Sequence, residues 1–276
     1  MENKVALFKG KAIRRVLHNN EWWFSVVDVI GALTDSANPR DYWYKMKARV
    51  SSEDGFQLST FCRQLKLESP DEKLRETDCA NTETLFRIIQ SIPSPKAEPF
   101  KRWLARVGYE RIQEIEDPEL ATKRTRALYK AKGYSEDWIE KRMRGIAIRE
   151  ELTEEWQNRG AEDQKDYEIL TAEISKATFG VTPSEYKELK GLERESLRDH
   201  MNDLELIFTM LGERSTTEIH RVEDSKGMPK LKSDSQAGGD IAGNARKRLE
   251  QRLKKSIVSK NNYLSTPEKI ARKKLK

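Results

Sequence analysis

Cysteine is scarce in this chain: Cys62 and Cys79 are the only two among 276 residues. They form no CxxC, so neither a disulfide framework nor a thiolate metal clip is expected, and a reducing cytoplasm fits. Histidine is nearly as rare. His18, His200 and His220 lie far apart and give no metal-ligand spacing. No run of 18 apolar residues occurs, so no membrane-spanning helix is expected. Met1 to Lys11 carries charges with no apolar segment after it, which argues against a secretory signal. A phosphate-binding loop ending in Gly-Lys-Ser/Thr is missing. Gly238-Gly239 with Gly243 has no strand before it, as a dinucleotide fingerprint would need. No Ser/His/Asp or Cys/His constellation stands out. Asp78 with Glu83, the one candidate carboxylate pair for metal-assisted cleavage, reads as strand-end and first-turn charge. The expectation is a non-enzymatic protein with no catalytic residues, no metal and no cofactor.

What is present is charge. Hydrophobic and charged residues each make up 36% of the chain. That is too polar for one large core and too apolar for a disordered chain, so compact pieces joined by solvated helices are expected. The net charge of +6 is unevenly spread. It is +3 over Met1 to Ile115, −7 over Glu116 to Gly243 and +10 over Asn244 to Lys276. A basic tail on an acidic body suits a polyanion partner, and equally a tail that is only solvated.

Lys11 to Phe24 reads as a β-hairpin. Asn19-Asn20 tolerates the positive φ of a tight turn, and Trp22-Trp23-Phe24 favours a strand. Ser25 reads as an N-cap, with Asp28 completing a capping box for a short helix through Leu33. Asn38-Pro39 starts a second helix, in which Tyr42, Trp43, Met46 and Val50 recur at helical spacing. Two short helices with a tight turn resemble a helix-turn-helix. Phe56 to Leu67 is open between strand and loop, and Lys73 to Cys79 reads as a short strand. Thr82 caps a helix. Pro95 and Pro99 both suit the start of another, whose stripe is Phe100, Trp103, Leu104, Val107, Ile112 and Ile115. Helical repeats follow at Glu119–Ala131, Ser135–Asn158, Asp163–Phe179 and Leu192–Leu211, the last ended by Gly212. Thr182-Pro183-Ser184-Glu185 is a helix start. Gly227 to Gly239 reads as a polar linker. Beyond it, Ile241, Ala245, Leu249 and Leu253 recur in a basic helix, and Glu268 to Lys276 forms a last basic segment. The expected domains are 1–116, a helical acidic 117–226, and a linker with basic tail at 227–276. The expected fold class is α+β.

The run from Glu21 to Thr34, followed by Asn38-Pro39-Arg40-Asp41, resembles the Bro-N domain of phage and viral antirepressors. Ala97-Glu98-Pro99-Phe100-Lys101-Arg102-Trp103-Leu104 resembles the second half of that domain. Gly238 to Lys247, with Leu249-Glu250 and Ile257-Val258-Ser259, is similar to DNA-damage-inducible protein D. The resemblance implies DNA binding, a role in phage gene control or the response to DNA damage, and no cofactor.

DNA-binding candidates must offer positive charge on an ordered surface. Arg40 sits at the start of the would-be reading helix, with Lys45, Lys47 and Arg49 after it. Arg14 and Arg15 on the hairpin could flank the same surface. Lys101, Arg102 and Arg106 are either backbone contacts or the wet side of an amphipathic helix. Arg246, Lys247 and Arg248 head the dense positive helix of the tail, which either binds phosphate or docks on the acidic middle. The tryptophans either stack on bases or fill the core, and only one of Trp22 and Trp23 can face the core fully. The expected function is DNA-binding regulation. The alternative is an antirepressor that binds a repressor or recombination protein directly, and a homo-oligomer is open in either case.

Overall fold

The computed structural model describes residues 3–8, 11–54, 58–69, 71–193 and 195–264. The expected basic segment Glu268 to Lys276 lies outside them. The chain divides into two compact units, Met1–Pro118 and Glu119–Lys276, and the class is α+β.

In the first unit, strands β1 (Asn3–Phe8), β2 (Lys11–His18), β3 (Glu21–Ser25), β4 (Arg63–Glu68) and β5 (Leu74–Ala80) form an antiparallel sheet of order β1-β2-β3-β5-β4. Asn19 and Asn20 take φ of 48° and 62°, so the two-residue turn forms as their side chains allow. Alternation then sorts the sheet into two faces. Ile13, Phe24 and Ala80 face helices α1 (Val26–Leu33), α2 (Pro39–Asp54) and α3 (Thr82–Gln90), packing with Ile30, Leu33, Trp43, Met46 and Ile88. Val16, Trp23, Leu65, Leu67 and Cys79 form a separate core on the other face. There β2 approaches β4 although β3 and β5 lie between them in the sheet, so the sheet curls around Trp23. Cys79 is fully buried, and burial pushes its thiol up to about 12 despite nearby Arg14. Such a thiol is inert packing.

Several local expectations need correction. Ser25 does cap α1, accepting from the Asp28 N–H, but the Asp28 carboxylate turns away to Arg14 and leaves the box half made. Asn81, not Thr82, caps α3. The ambiguous stretch resolves as a 3-10 turn at Leu58–Phe61 followed by β4. Helix α4 (Glu98–Glu116) forms where expected, yet none of its residues is fully buried. Phe100 and Trp103 lean on Phe86, while Tyr109, Ile112 and Ile115 stand exposed.

The second unit is helical: α5 (Pro118–Lys132), α6 (Glu136–Asn158), α7 (Gln164–Phe179), α8 (Pro183–Leu189), a 3-10 turn Leu197–His200, α9 (Asp203–Val222) and α10 (Met228–Leu253). Capping boxes at Asp163, Thr182 and Asn202 set the starts of α7, α8 and α9. The helix expected at Leu192–Leu211 begins only at Asn202 and does not stop at Gly212, which sits inside α9 against Thr178 and Ile174. The expected linker Gly227–Gly239 is likewise no linker: it is the first half of α10. Helix α10 lies along α9 and α7 through Leu231, Gly238, Gly239, Ala242, Gly243 and Arg246. The stripe read from the sequence is mostly the wrong face: Ile241, Ala245 and Leu253 are exposed, and Leu249 alone of the four packs inward.

Two apolar clusters hold this unit. One gathers Trp138, Ile139, Tyr186, Met201, Phe208 and Ile257. The other gathers Leu152, Trp156, Leu170, Ile174 and Leu231. Between α8 and α9, Lys190 and Glu205 make a fully buried ion pair at 3.0 Å. Tyr186 also donates to Glu205, and Lys190 donates to the Asn261 carbonyl at 2.6 Å. With its charges paired and bonded, such a cluster is tolerable in the interior. It ties the segment after α10 to the unit, where Tyr263 stacks on Tyr134.

Candidate nucleic-acid interface

In the first unit the helix pair α1–α2 is held to the sheet by two carboxylates. Asp28 accepts from Arg14 Nε at 2.8 Å and Nη2 at 2.7 Å, and from the Arg14 backbone N–H at 3.0 Å. Burial alone would push this carboxyl up, but the Arg14 hydrogen bonds outweigh it and hold the pKa below the usual range. Asp78 on β5 accepts from Trp43 Nε1 at 2.6 Å, from Lys47 at 3.3 Å and from Gln64. Asp78 is therefore an anchor for α2 and not half of a metal-binding pair with Glu83.

These contacts sort the sequence candidates. Arg14 is engaged by Asp28, and Lys47 lies over the Trp43 ring with its head at Asp78. Arg49 donates to the Ser91 carbonyl at 2.9 Å, tying α2 to the end of α3. Arg15 sits over the Trp22 ring, 4.3 Å from its centroid. Arg40 is exposed at the start of α2. Lys45 is exposed too, with only a surface pair to Asp41 one turn back, which a phosphate can displace at little cost. Between them Tyr44 is 71% exposed. The sequence reading missed it, although it falls off the Trp43–Met46–Val50 stripe on the Arg40 side. Arg40, Tyr44 and Lys45 thus make an exposed polar and aromatic face over the first turns of α2.

On α4, Lys101 is half-buried, Arg102 pairs loosely with Glu98 at 3.4 Å, and Arg106 is exposed. In the second unit Arg246 is only 7% exposed. It donates to the Thr178 carbonyl at 2.7 Å and to Glu250 at 2.6 Å, so it clamps α10 onto the end of α7. Lys247 and Arg248 face solvent. Of the two aromatic neighbours, Trp23 is the buried one and Trp22 is half-exposed.

The structure also assembles a constellation that spacing did not reveal. His220 on α9, Ser225 and Asp234 on α10 meet in the second core, with His220 Nδ1 3.1 Å and Ser225 Oγ 2.5 Å from Asp234 Oδ2. The connectivity is wrong for nucleophilic catalysis. Ser225 bonds the carboxylate instead of the imidazole, and Trp156 Nε1 donates to His220 Nε2 at 3.0 Å, occupying the lone pair a general base needs. His220 is fully buried. The trio is a structural polar network. Among the described residues, no group of three or more His, Cys, Asp or Glu is placed to hold a metal ion. No helix there is long and apolar enough to cross a membrane.

Residues 12–112 match the family model described as the BRO family, N-terminal domain. A Bro-N domain is therefore present in this chain. The match lies wholly inside the first unit and takes in the hairpin, α1–α2 and most of α4. No curated protein matches the chain.

Proposed function

We propose that the protein is a cytoplasmic DNA-binding regulator of the phage-antirepressor type, reading DNA through α2 of its Bro-N domain. The observation that carries this is the exposed Arg40–Tyr44–Lys45 face, set at the start of the second helix of a helix pair anchored by Asp28 and Asp78. A helix start in that position suits base-edge contact by Arg40, with Lys45 on phosphate. Arg106 adds exposed charge for the backbone in the same unit, and Lys247 and Arg248 offer a separate phosphate contact on the second unit. The resemblance of Gly238–Lys247, Leu249-Glu250 and Ile257-Val258-Ser259 to DNA-damage-inducible protein D extends the proposal to the response to DNA damage.

The test is fluorescence anisotropy of labelled duplex DNA against salt, with the full chain and with the double variant Arg40→Glu, Lys45→Glu. The variant should bind far more weakly, with a log–log salt slope shallower by about 2. Equal affinity and slope for the two proteins would remove α2 from the interface.

A second reading, a module that binds a repressor or recombination protein directly, is favoured by α4. Its Trp103, Tyr109, Ile112 and Ile115 are exposed together on one helix, beyond what a surface helix ordinarily shows. If the full chain binds no duplex DNA at low salt, this reading takes over.

A further inference from the structure

The second unit contains a cleft bounded by α6, α7, α8, the Leu197–His200 turn and α9. Its two lobes, of about 480 and 600 Å³, share Arg149, Gln164, Thr171, Pro183 and Lys187, so they form one continuous space. Volumes of this order are those of small-molecule sites. Four cations line it, namely Arg142, Arg149, Lys187 and Arg198, against the carboxylates Glu168 and Glu213. This runs opposite to the surrounding sequence, in which acids outnumber bases from Glu116 to Gly243 by 28 to 21.

Inside the cleft the pairing is incomplete. Arg142 is taken by Asp199 at 2.8 Å. Arg149 and Arg198 both reach the same oxygen of Glu213, at 3.4 and 2.5 Å, so one buried carboxylate faces two guanidiniums. Lys187 is half-buried and has no carboxylate partner among the described residues. Burial brings the Arg149 pKa down to about 10, with Glu213 opposing and Arg198 adding to the fall. Thr171 accepts from Arg149 at 2.5 Å and so holds its guanidinium in place. The rest of the larger lobe's wall mixes apolar Ile174, Phe179, Leu197 and Met201 with the hydroxyls of Ser175, Thr178, Ser196 and Thr209. In the larger lobe, which Glu168 does not line, two positive charges are left unmatched beside apolar side chains, and they suit a dianionic head joined to a flat or apolar body.

The geometry points to a binding site for a phosphomonoester of mononucleotide size, its phosphate on Arg149, Lys187 and Arg198 and its base against Phe179 and Met201. The site uses none of the residues assigned to DNA and lies wholly within the second unit. The test titrates the full chain with deoxyadenosine monophosphate, adenosine and inorganic phosphate by calorimetry, with melting curves in parallel. The mononucleotide should bind and raise the melting temperature, while adenosine and inorganic phosphate bind at least about tenfold more weakly. Lys187→Glu should lose about tenfold or more in affinity and melt unchanged without ligand. Arg198→Gln should weaken binding similarly, and Arg40→Glu, Lys45→Glu should bind the mononucleotide as the unaltered chain does. The assignment is overturned if no mononucleotide binds at millimolar concentration. It is overturned equally if Lys187→Glu and Arg198→Gln bind it normally, or if inorganic phosphate binds as tightly as the mononucleotide.

Discussion

His220 shows how a single residue is recruited to packing. Its Nδ1 faces Asp234 and its Nε2 accepts from Trp156, an arrangement that holds the neutral ring. Burial lowers its pKa from the ordinary histidine value, and the Asp234 interaction only partly opposes this. A lowered pKa means that the unfolded chain binds the proton first as pH falls, so stability is complete above about 6.5 and declines below it. Asp234 responds in the same sense at lower pH. Burial would raise its pKa, but hydrogen bonds from Lys230, Ser225 and His220 hold it below the carboxylate range. Melting of the full chain between pH 7.5 and 5 should therefore show a fall that His220→Gln, which cannot titrate, lacks. Identical pH profiles for the two proteins would mean that the ring protonates freely in the fold. The same scale shows what spacing hides. All twelve candidate cations were visible as charges, but only coordinates reveal that Arg14, Lys47, Arg49 and Arg246 serve Asp28, Asp78, the Ser91 carbonyl and Thr178 with Glu250. Nothing in the local sequence separates Arg246, clamped under α10, from Lys247 beside it.

Elements with local chemistry at their ends were the legible ones. The Asn19-Asn20 turn, Asn38-Pro39 before α2 and Thr182-Pro183 before α8 each mark a boundary because the deciding contact lies within four residues. Two of the errors lie at glycines. Gly212 and the Gly238-Gly239 pair signal a stop by propensity, at roughly 1 kcal/mol each, yet both α9 and α10 run through them. The reason is distant in sequence. A Cβ at Gly238 would lie 2.1 Å from Thr216 Oγ1 and 2.6 Å from its backbone N, and one at Gly243 would lie 2.3 Å from the Ala177 carbonyl oxygen. Close approach of α10 to α9 and α7 more than offsets the helix penalty. Gly238→Ala should then destabilise the second unit by about 1–3 kcal/mol or more, through forced separation of the helices. Gly108→Ala is the contrasting case, because nothing lies within 4 Å of the added methyl in α4. It should stabilise the chain by about 0.5–1 kcal/mol. Denaturant melts of the two variants check both signs. A tolerated Gly238→Ala would show that the α10 packing is looser than its geometry.

At the scale of the molecule, the distribution of charge separates two modes of the proposed DNA contact. Of the two fates open to the +10 excess after Gly243, its first turns take the docked one: they belong to α10, embedded in the acidic unit through Arg246. What the end of α10 leaves at solvent, Lys247, Arg248 and Arg252, is a charged surface with no aromatic residue between Asn244 and Arg252 and with the helix start far back at Met228. Arg40 on α2 has both, with Tyr44 one turn on and the helix start beneath it. Contacts made by charge alone neutralise phosphate and carry no sequence information, whereas an arginine at a groove-reading helix start discriminates by about 1–3 kcal/mol per base pair. Arg40→Ala should therefore lower affinity most for the preferred duplex and flatten the difference between duplexes, with the salt slope reduced by at most about 1. Lys247→Glu with Arg248→Glu should weaken every duplex alike and reduce the slope by about 2. Measured side by side on a preferred duplex selected from a random pool and on a scrambled one, the two variants give distinct patterns. Loss of discrimination in the α10 variant, with Arg40→Ala unaffected, would move sequence reading to the second unit and leave α2 as a structural helix.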